Sequence, residues 1–263
     1  MLAEDVIKII ESKYERDAAL SFDNVGLQIG REDKKVAKIF LALDATDEVI
    51  EHAAVWQADM LITHHPMIFG PLKSVRQSDY IGRRIIRLIQ EDIPYYAMHT
   101  NYDVLGMAQL AGDILELDHQ EVLEESYFAG EFTEGIGRVG TLPKAMNLQE
   151  CCDFVKDRLK LSQVKVFADF EDKEKRYRRM AVSPGSGKSM LVASLEKKAE
   201  ILVTGDIDHH AGLDAVAQGL TIIDAGHYGT EYIFMDDIKK FLEEHTQGIE
   251  IKTEMIAPPF HII

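Results

Sequence analysis

Apolar and polar positions along this chain keep two rhythms that alternate. Short β-branched apolar runs read as strands, and each is followed by a stretch in which apolar residues recur every three or four positions, as on one face of a helix. Lys38-Ile39-Phe40-Leu41-Ala42-Leu43-Asp44 predicts a strand, and Val49, Ile50, Ala53 and Ala54 place a helix over 47–57. Ala58-Asp59-Met60-Leu61-Ile62-Thr63 predicts a buried strand, 79–90 another helix, and Pro94-Tyr95-Tyr96-Ala97-Met98 a strand that stops at His99.

A similar order returns later. Arg179-Met180-Ala181-Val182 predicts a strand, followed by a Gly/Ser-rich turn and a helix over 190–198. Glu200-Ile201-Leu202-Val203-Thr204 then echoes Asp59-Met60-Leu61-Ile62-Thr63, and a helix over 211–218 leads to Leu220-Thr221-Ile222-Ile223-Asp224-Ala225 and His227. Alternating elements predict an α/β fold. The echo predicts two related α/β halves, an internal pseudo-repeat facing a central cleft, with 1–125 as the first half and 126–263 as the second. Residues 126–178 have no counterpart in the echo. They hold Gly135-Ile136-Gly137-Arg138-Val139-Gly140, a helix near 148–159 and a strand at 163–167, and read as the start of the second half plus a connector.

The chemistry collects where the predicted strands stop. His64-His65 directly follows Leu61-Ile62-Thr63, and two adjacent imidazoles are poor core packers but good metal ligands. The carboxyl ends of strands are also where open α/β sheets bind ligands. Asp103 follows His99 by four residues, as Glu231 follows His227. His64, His65, Asp103, His227 and Glu231 thus form a nitrogen and oxygen donor set suited to Zn, Mn, Fe, Co or Ni. Five donors exceed what one ion with open positions takes, which points to two divalent ions per chain. His99 and the second doublet, His209-His210, remain candidates for proton transfer, outer support of the ligands or substrate contact; a polar insert after Thr204 sets the doublet back from its strand end. His52, His119, His245 and His261 read as surface or packed residues.

Two motifs carry less. Pro184-Gly185-Ser186-Gly187-Lys188-Ser189 imitates the end of a phosphate-binding loop, but the position of its first glycine is Val182, so a tight strand-to-helix turn is the reading. Phe22-Asp23-Asn24-Val25-Gly26-Leu27-Gln28-Ile29-Gly30 reads as a polar, glycine-punctuated loop entering a strand. Lys188 or Arg138 is the candidate cation for a substrate phosphate.

Charge and composition narrow the partners. The 263 residues carry 45 acidic against 29 basic side chains, a net charge of −16, which argues against nucleic acid and anionic membrane. The only cysteines, Cys151 and Cys152, are adjacent and cannot supply a disulfide framework. No apolar run approaches the ~20 residues of a membrane span, so a cytoplasmic protein acting on a small molecule is expected.

Taken together, Phe22-Asp23-Asn24-Val25-Gly26-Leu27, Leu61-Ile62-Thr63-His64-His65-Pro66, His99-Thr100-Asn101-Tyr102-Asp103, Thr204-Gly205-Asp206 with His209-His210, and Gly226-His227-Tyr228-Gly229-Thr230-Glu231 resemble the GTP cyclohydrolase I type 2 homologue family, the Nif-three-like proteins. The resemblance spans nearly the whole chain; Phe22 stands where the family often has Trp. It implies two related α/β halves with a dinuclear metal centre whose ligands fall on the same five residues, and a toroidal homohexamer. The family name implies hydrolytic opening of the guanine ring of GTP or a related nucleotide, with release of formate. The competing expectation is a metal-binding, metal-trafficking or scaffold protein without turnover.

Overall fold

Eleven strands carry the two sheets of this mixed α/β chain, in a computed structural model that describes residues 1–260 and so leaves His261 outside it. In chain order they are β1 (Gly26–Ile29), β2 (Lys38–Ala42), β3 (Met60–Thr63), β4 (Tyr95–Ala97), β5 (Asp118–Ala129), β6 (Phe132–Met146), β7 (Lys165–Phe167), β8 (Tyr177–Ser186), β9 (Ile201–Gly205), β10 (Thr221–Asp224) and β11 (Glu250–Thr253). The chain divides into two compact units, one of Met1–Tyr102 with Tyr232–Ala257 and one built on Asp103–Glu231.

The first unit has a five-stranded sheet in the order β1-β4-β3-β2-β11. β11, β2, β3 and β4 run parallel, and β1 closes the far edge antiparallel to β4. A parallel strand flanked on both sides must be apolar on both faces. β3 obeys this: Met60, Leu61, Ile62 and Thr63 are all fully buried. Each such aliphatic side chain contributes ~1.5–3 kcal/mol on leaving water, so this strand is held tightly and its end is a firm base. The helices pack with capped starts: Thr46 accepts from Val49 N at the head of Asp47–Val55, and Asp79 accepts from Gly82 N at the head of Tyr80–Gln90. Ala42, Ala53, Leu61, Leu88 and Tyr95 meet in one core.

The second unit has a six-stranded sheet in the order β5-β6-β8-β9-β10-β7. Its parallel centre, β8-β9-β10, is bordered by antiparallel β6 and β7. The segment 126–178 opens with most of the long β5–β6 hairpin and goes on through the expected helix, Leu148–Arg158, and β7, and the cut expected between 125 and 126 falls within β5. The glycine-rich run 135–140 lies inside β6.

Two boundaries differ from the sequence reading for local reasons. β8 runs on through Pro184, Gly185 and Ser186, so only a short 3₁₀ turn, Lys188–Met190, precedes the helix Leu191–Glu196. The helix expected from 211 begins at His209, because the Asp208 side chain accepts from Ala211 N and caps it there. Cys151 and Cys152 are both buried and unbridged. Burial pushes the Cys151 thiol up to about 12 and raises that of Cys152. Among the described residues no helix is long and apolar enough to cross a membrane.

Candidate metal centre

In the first unit the histidines continue the sheet ladder past the ends of β3 and β4. His64 N and His65 N donate to Ala42 O and Leu43 O, and Met98 N donates to Thr63 O. The backbone of His65 is fixed further by Tyr95, whose hydroxyl donates to His65 O at 2.8 Å and accepts from Met67 N at 3.0 Å. Thr63 Oγ1 donates to the same carbonyl at 2.8 Å. Tyr95 is fully buried, and that burial holds its hydroxyl well above its ordinary pKa, so it stays a neutral donor.

Three imidazoles meet there. The ring centroids of His64 and His65 are 4.9 Å apart, those of His64 and His99 5.3 Å, and those of His65 and His99 5.6 Å. Each offers a nitrogen within 4.8 Å of the other two. Each is also oriented through its other nitrogen. Nδ1 of His64 lies 2.8 Å from the Met98 carbonyl, Nδ1 of His65 2.8 Å from Asp44 Oδ1, and Nδ1 of His99 2.9 Å from Asp23 Oδ1. An oxygen at Nδ1 keeps the proton there and makes Nε2 the lone-pair nitrogen, the arrangement that metal-ligating histidines require.

Asp23 is itself well held. Its side chain is fully buried and accepts from Thr100 N at 2.9 Å and Thr100 Oγ1 at 2.5 Å. Burial alone would push this carboxyl up, but the hydrogen bonds from His99 and Thr100 outweigh it and bring the pKa down to about 2. The loop that read as a turn is thus the support of His99.

The second unit repeats the chemistry at the ends of β9 and β10. Asp206 follows β9 in the left-handed region, with φ +57°, and its Oδ2 lies 2.7 Å from His227 Nδ1. His227 opens the single helical turn His227–Glu231, which brings its Nε2 to 3.1 Å from Glu231 Oε2. With Nδ1 protonated toward Asp206, a neutral His227 would set its Nε2 lone pair against a buried carboxylate. A proton or a metal cation relieves that opposition. The donor set therefore fits a bound cation on geometry that belongs to this chain.

Glycine makes room for the carboxylate. Gly185, at φ +73°, lies so close to Glu231 that an added Cβ would stand 2.2 Å from Oε1, and its N–H donates to Thr230 Oγ1 at 2.9 Å. The phosphate-loop look-alike is a close-packing device beside Glu231.

The remaining sequence candidates separate. Asp103 heads the five-residue π-helical stretch Asp103–Met107 of the second unit, a rare geometry that recurs at functional sites. His209 and His210 are exposed in the first turn of their helix with rings 5.2 Å apart, and neither enters a metal-capable group among the described residues. Lys188 pairs with Asp208 at 2.6 Å. Arg138 is 3% exposed and held by Glu134 and by Gln109 Oε1 at 3.1 Å, so it is a structural cation. The sequence reading missed Asp23, Asp44 and Asp206 as supports. Asp44 and Asp206 stand just past strand ends, and Asp23 and Asp206 lie in the motifs of the family resemblance, but nothing in the sequence pairs each with its histidine.

The comparisons agree on one family. The Duf34/NIF3 (NGG1p interacting factor 3) family matches residues 1–259. A Clostridium perfringens protein named GTP cyclohydrolase 1 type 2 homolog is 32% identical over 267 residues, covering 100% of both chains. Among solved structures, reduced HcgD from Methanocaldococcus jannaschii is similar at a TM-score of 0.83 and 30% identity, covering 96% of this chain and 97% of that one. A Bacillus cereus protein related to NIF3 shares the fold at a TM-score of 0.89 and 23% identity, covering 100% of this chain and 99% of that one.

Proposed function

The chain belongs to the Duf34/NIF3 family, and from that membership we propose that it is a metal-dependent hydrolase that opens the guanine ring of GTP or a related nucleotide. His64, His65, Asp103, His227 and Glu231 would hold two divalent ions. The observation that carries this reading is the convergence of His64, His65 and His99, each offering a nitrogen within 4.8 Å of the others, with the Nδ1 of these three and of His227 turned to an oxygen: Met98 O, Asp44, Asp23 and Asp206. His52 and His245 also turn Nδ1 to an oxygen, so the orientation supports a ligand role only where ring nitrogens converge as well, as those of His64, His65 and His99 do within 4.8 Å. The printed name of the relatives, GTP cyclohydrolase 1 type 2 homolog, supports the substrate class.

When bound, divalent ions supply Lewis acidity and lower the pKa of a water toward neutrality. The chain supplies the rest. Asp44 and Asp206 fix the tautomers of His65 and His227. Asp23 and Thr100 fix His99, which presents Nε2 as the group placed to move a proton during ring opening. Buried Phe234, 5.3 Å from the His64 ring, and Tyr102, 6.1 Å from it, keep water from the back of that imidazole. Two buried, unbridged cysteines fit a reducing cytoplasm. Assembly into a toroidal homohexamer belongs to the same proposal, on family resemblance.

The test is to load the purified protein with Mn, Zn, Fe or Co, count the metal by elemental analysis, and follow GTP by mass spectrometry, with Glu231→Gln as control. Metal uptake with loss of GTP and release of formate is the expected result. Metal uptake without loss of any nucleotide would leave the second reading, a metal-trafficking protein without turnover, in its place. No uptake after loading would refute the ligand assignment.

A further inference from the structure

Phe69 is a large apolar side chain left 53% exposed beside His99. Its ring meets His99 at a centroid distance of 5.6 Å and an interplanar angle of 82°. It belongs to residues 66–79, which form no helix or strand and also expose Leu72 and Val75. A loop of this kind would ordinarily let an exposed aromatic wander, yet the peptide before Phe69 is held at both ends. Ile68 N donates to Gln28 Oε1 at 3.0 Å, and Ile68 O accepts from Asn24 Nδ2 at 2.5 Å and from Gln28 Nε2 at 3.2 Å. Gln28 is tied in turn, its Nε2 donating to Asn24 O at 2.6 Å.

The loop over 22–30 therefore orients two neighbours: Asp23 sets His99, and Asn24 with Gln28 sets the backbone that aims Phe69. An exposed aromatic side chain has little to gain in water from such fixing. It gains when a flat apolar partner lies on it, because stacking is strong and a pre-set ring loses less freedom on binding. We propose that Phe69 is the stacking platform of this site, that it selects a planar heteroaromatic ring such as a nucleobase, and that Asn24 and Gln28 position it. This deepens the proposed nucleotide reading and rests on it for the location of the reacting groups.

Equilibrium dialysis of the metal-loaded protein against guanosine, adenosine and ribose 5-phosphate tests the inference, with metal content measured alongside. Wild type is expected to retain the two nucleosides over the sugar phosphate, which lacks a base. Phe69→Leu is expected to weaken nucleoside binding about tenfold or more and Phe69→Trp to restore it, both with unchanged metal content. Asn24→Ala is expected to weaken it as well, through the aim of the ring. Absence of nucleoside binding by wild type, or equal binding by wild type and Phe69→Leu, overturns the proposal. Wild-type binding by Asn24→Ala overturns the positioning role. The two readings fail separately: a protein that takes up no metal yet binds nucleosides through Phe69 loses the hydrolase proposal and keeps this one.

Discussion

Gly185→Ala isolates the demand that the Glu231 carboxylate makes on the backbone. A methyl at position 185 would stand 2.2 Å from Oε1 and 3.2 Å from Cδ. Ordinary contact begins at about 3.5 Å, so the carboxylate, or the strand end facing it, must withdraw by about 1 Å. The φ of +73° adds left-handed strain of ~1–2 kcal/mol for any L side chain. For a chain of this size that strain alone lowers the melting temperature by roughly 2–8 °C. Strain must be separated from displacement, and Gly130 does so: its φ is +66°, and an added Cβ would meet nothing within 4 Å. Gly130→Ala is expected to show a comparable thermal shift with unchanged metal affinity. Gly185→Ala is expected to show that shift or more, and in addition a loss of about tenfold or more in affinity for Mn or Zn, read by titration against a chelator. If the two variants bind metal alike, close approach at Gly185 does not set Glu231 and the reasoning fails.

Asp44→Ala removes the oxygen at His65 Nδ1, and metal affinity should fall roughly 10- to 100-fold while the circular dichroism spectrum stays unchanged; an unaltered affinity would mean that the contact is incidental. Tyr95→Phe takes away the buried hydroxyl that accepts from half-buried Met67 N and donates to His65 O, and should cost ~1–3 kcal/mol by urea denaturation without changing the slope. Cys151 and Cys152, buried and with thiols held above their ordinary pKa, should resist a thiol-reactive disulfide at neutral pH and react only once the chain is unfolded; fast labelling of native protein would contradict their placement. His209→Ala should leave metal content at the wild-type value, since that ring is exposed on its helix and stands in no metal-capable group of described residues.

Much of this was legible because burial leaves a plain mark. β3 sits between two parallel neighbours, so it reads as an unbroken apolar run, and the abrupt change to His64-His65 marks its end. β9 and β10 are written the same way, and the stop of β10 points to His227. The long β5–β6 hairpin was not legible, because most of β5 is exposed or half-exposed and its alternation is diluted by charge. The supporting carboxylates escaped for a different reason. Asp44, at a strand end, and Asp23, in a turn-like loop, have no periodicity to betray them, and only folded geometry pairs each with a particular nitrogen. Phe69 was invisible too: a lone aromatic in a loop reads as nothing until its neighbours are known.

The route of the chain through the first unit also has a consequence for how it is made. That unit is interrupted by 103–231, and its sheet is completed by β11, which pairs in parallel with β2 along Ile39↔Ile251 and Phe40↔Lys252. On a ribosome β2 emerges before 103–231 and β11 only after it, so one edge of the apolar core strand waits uncovered while the intervening unit is synthesised. Uncovered edges are templates for the wrong partner, and contacts so distant in sequence form slowly. The second unit's sheet is drawn entirely from 103–231 and has no such wait. The nascent chain is therefore most vulnerable to aggregation and to chaperone capture along Ile39-Phe40-Leu41, in the interval before residue 253 is released.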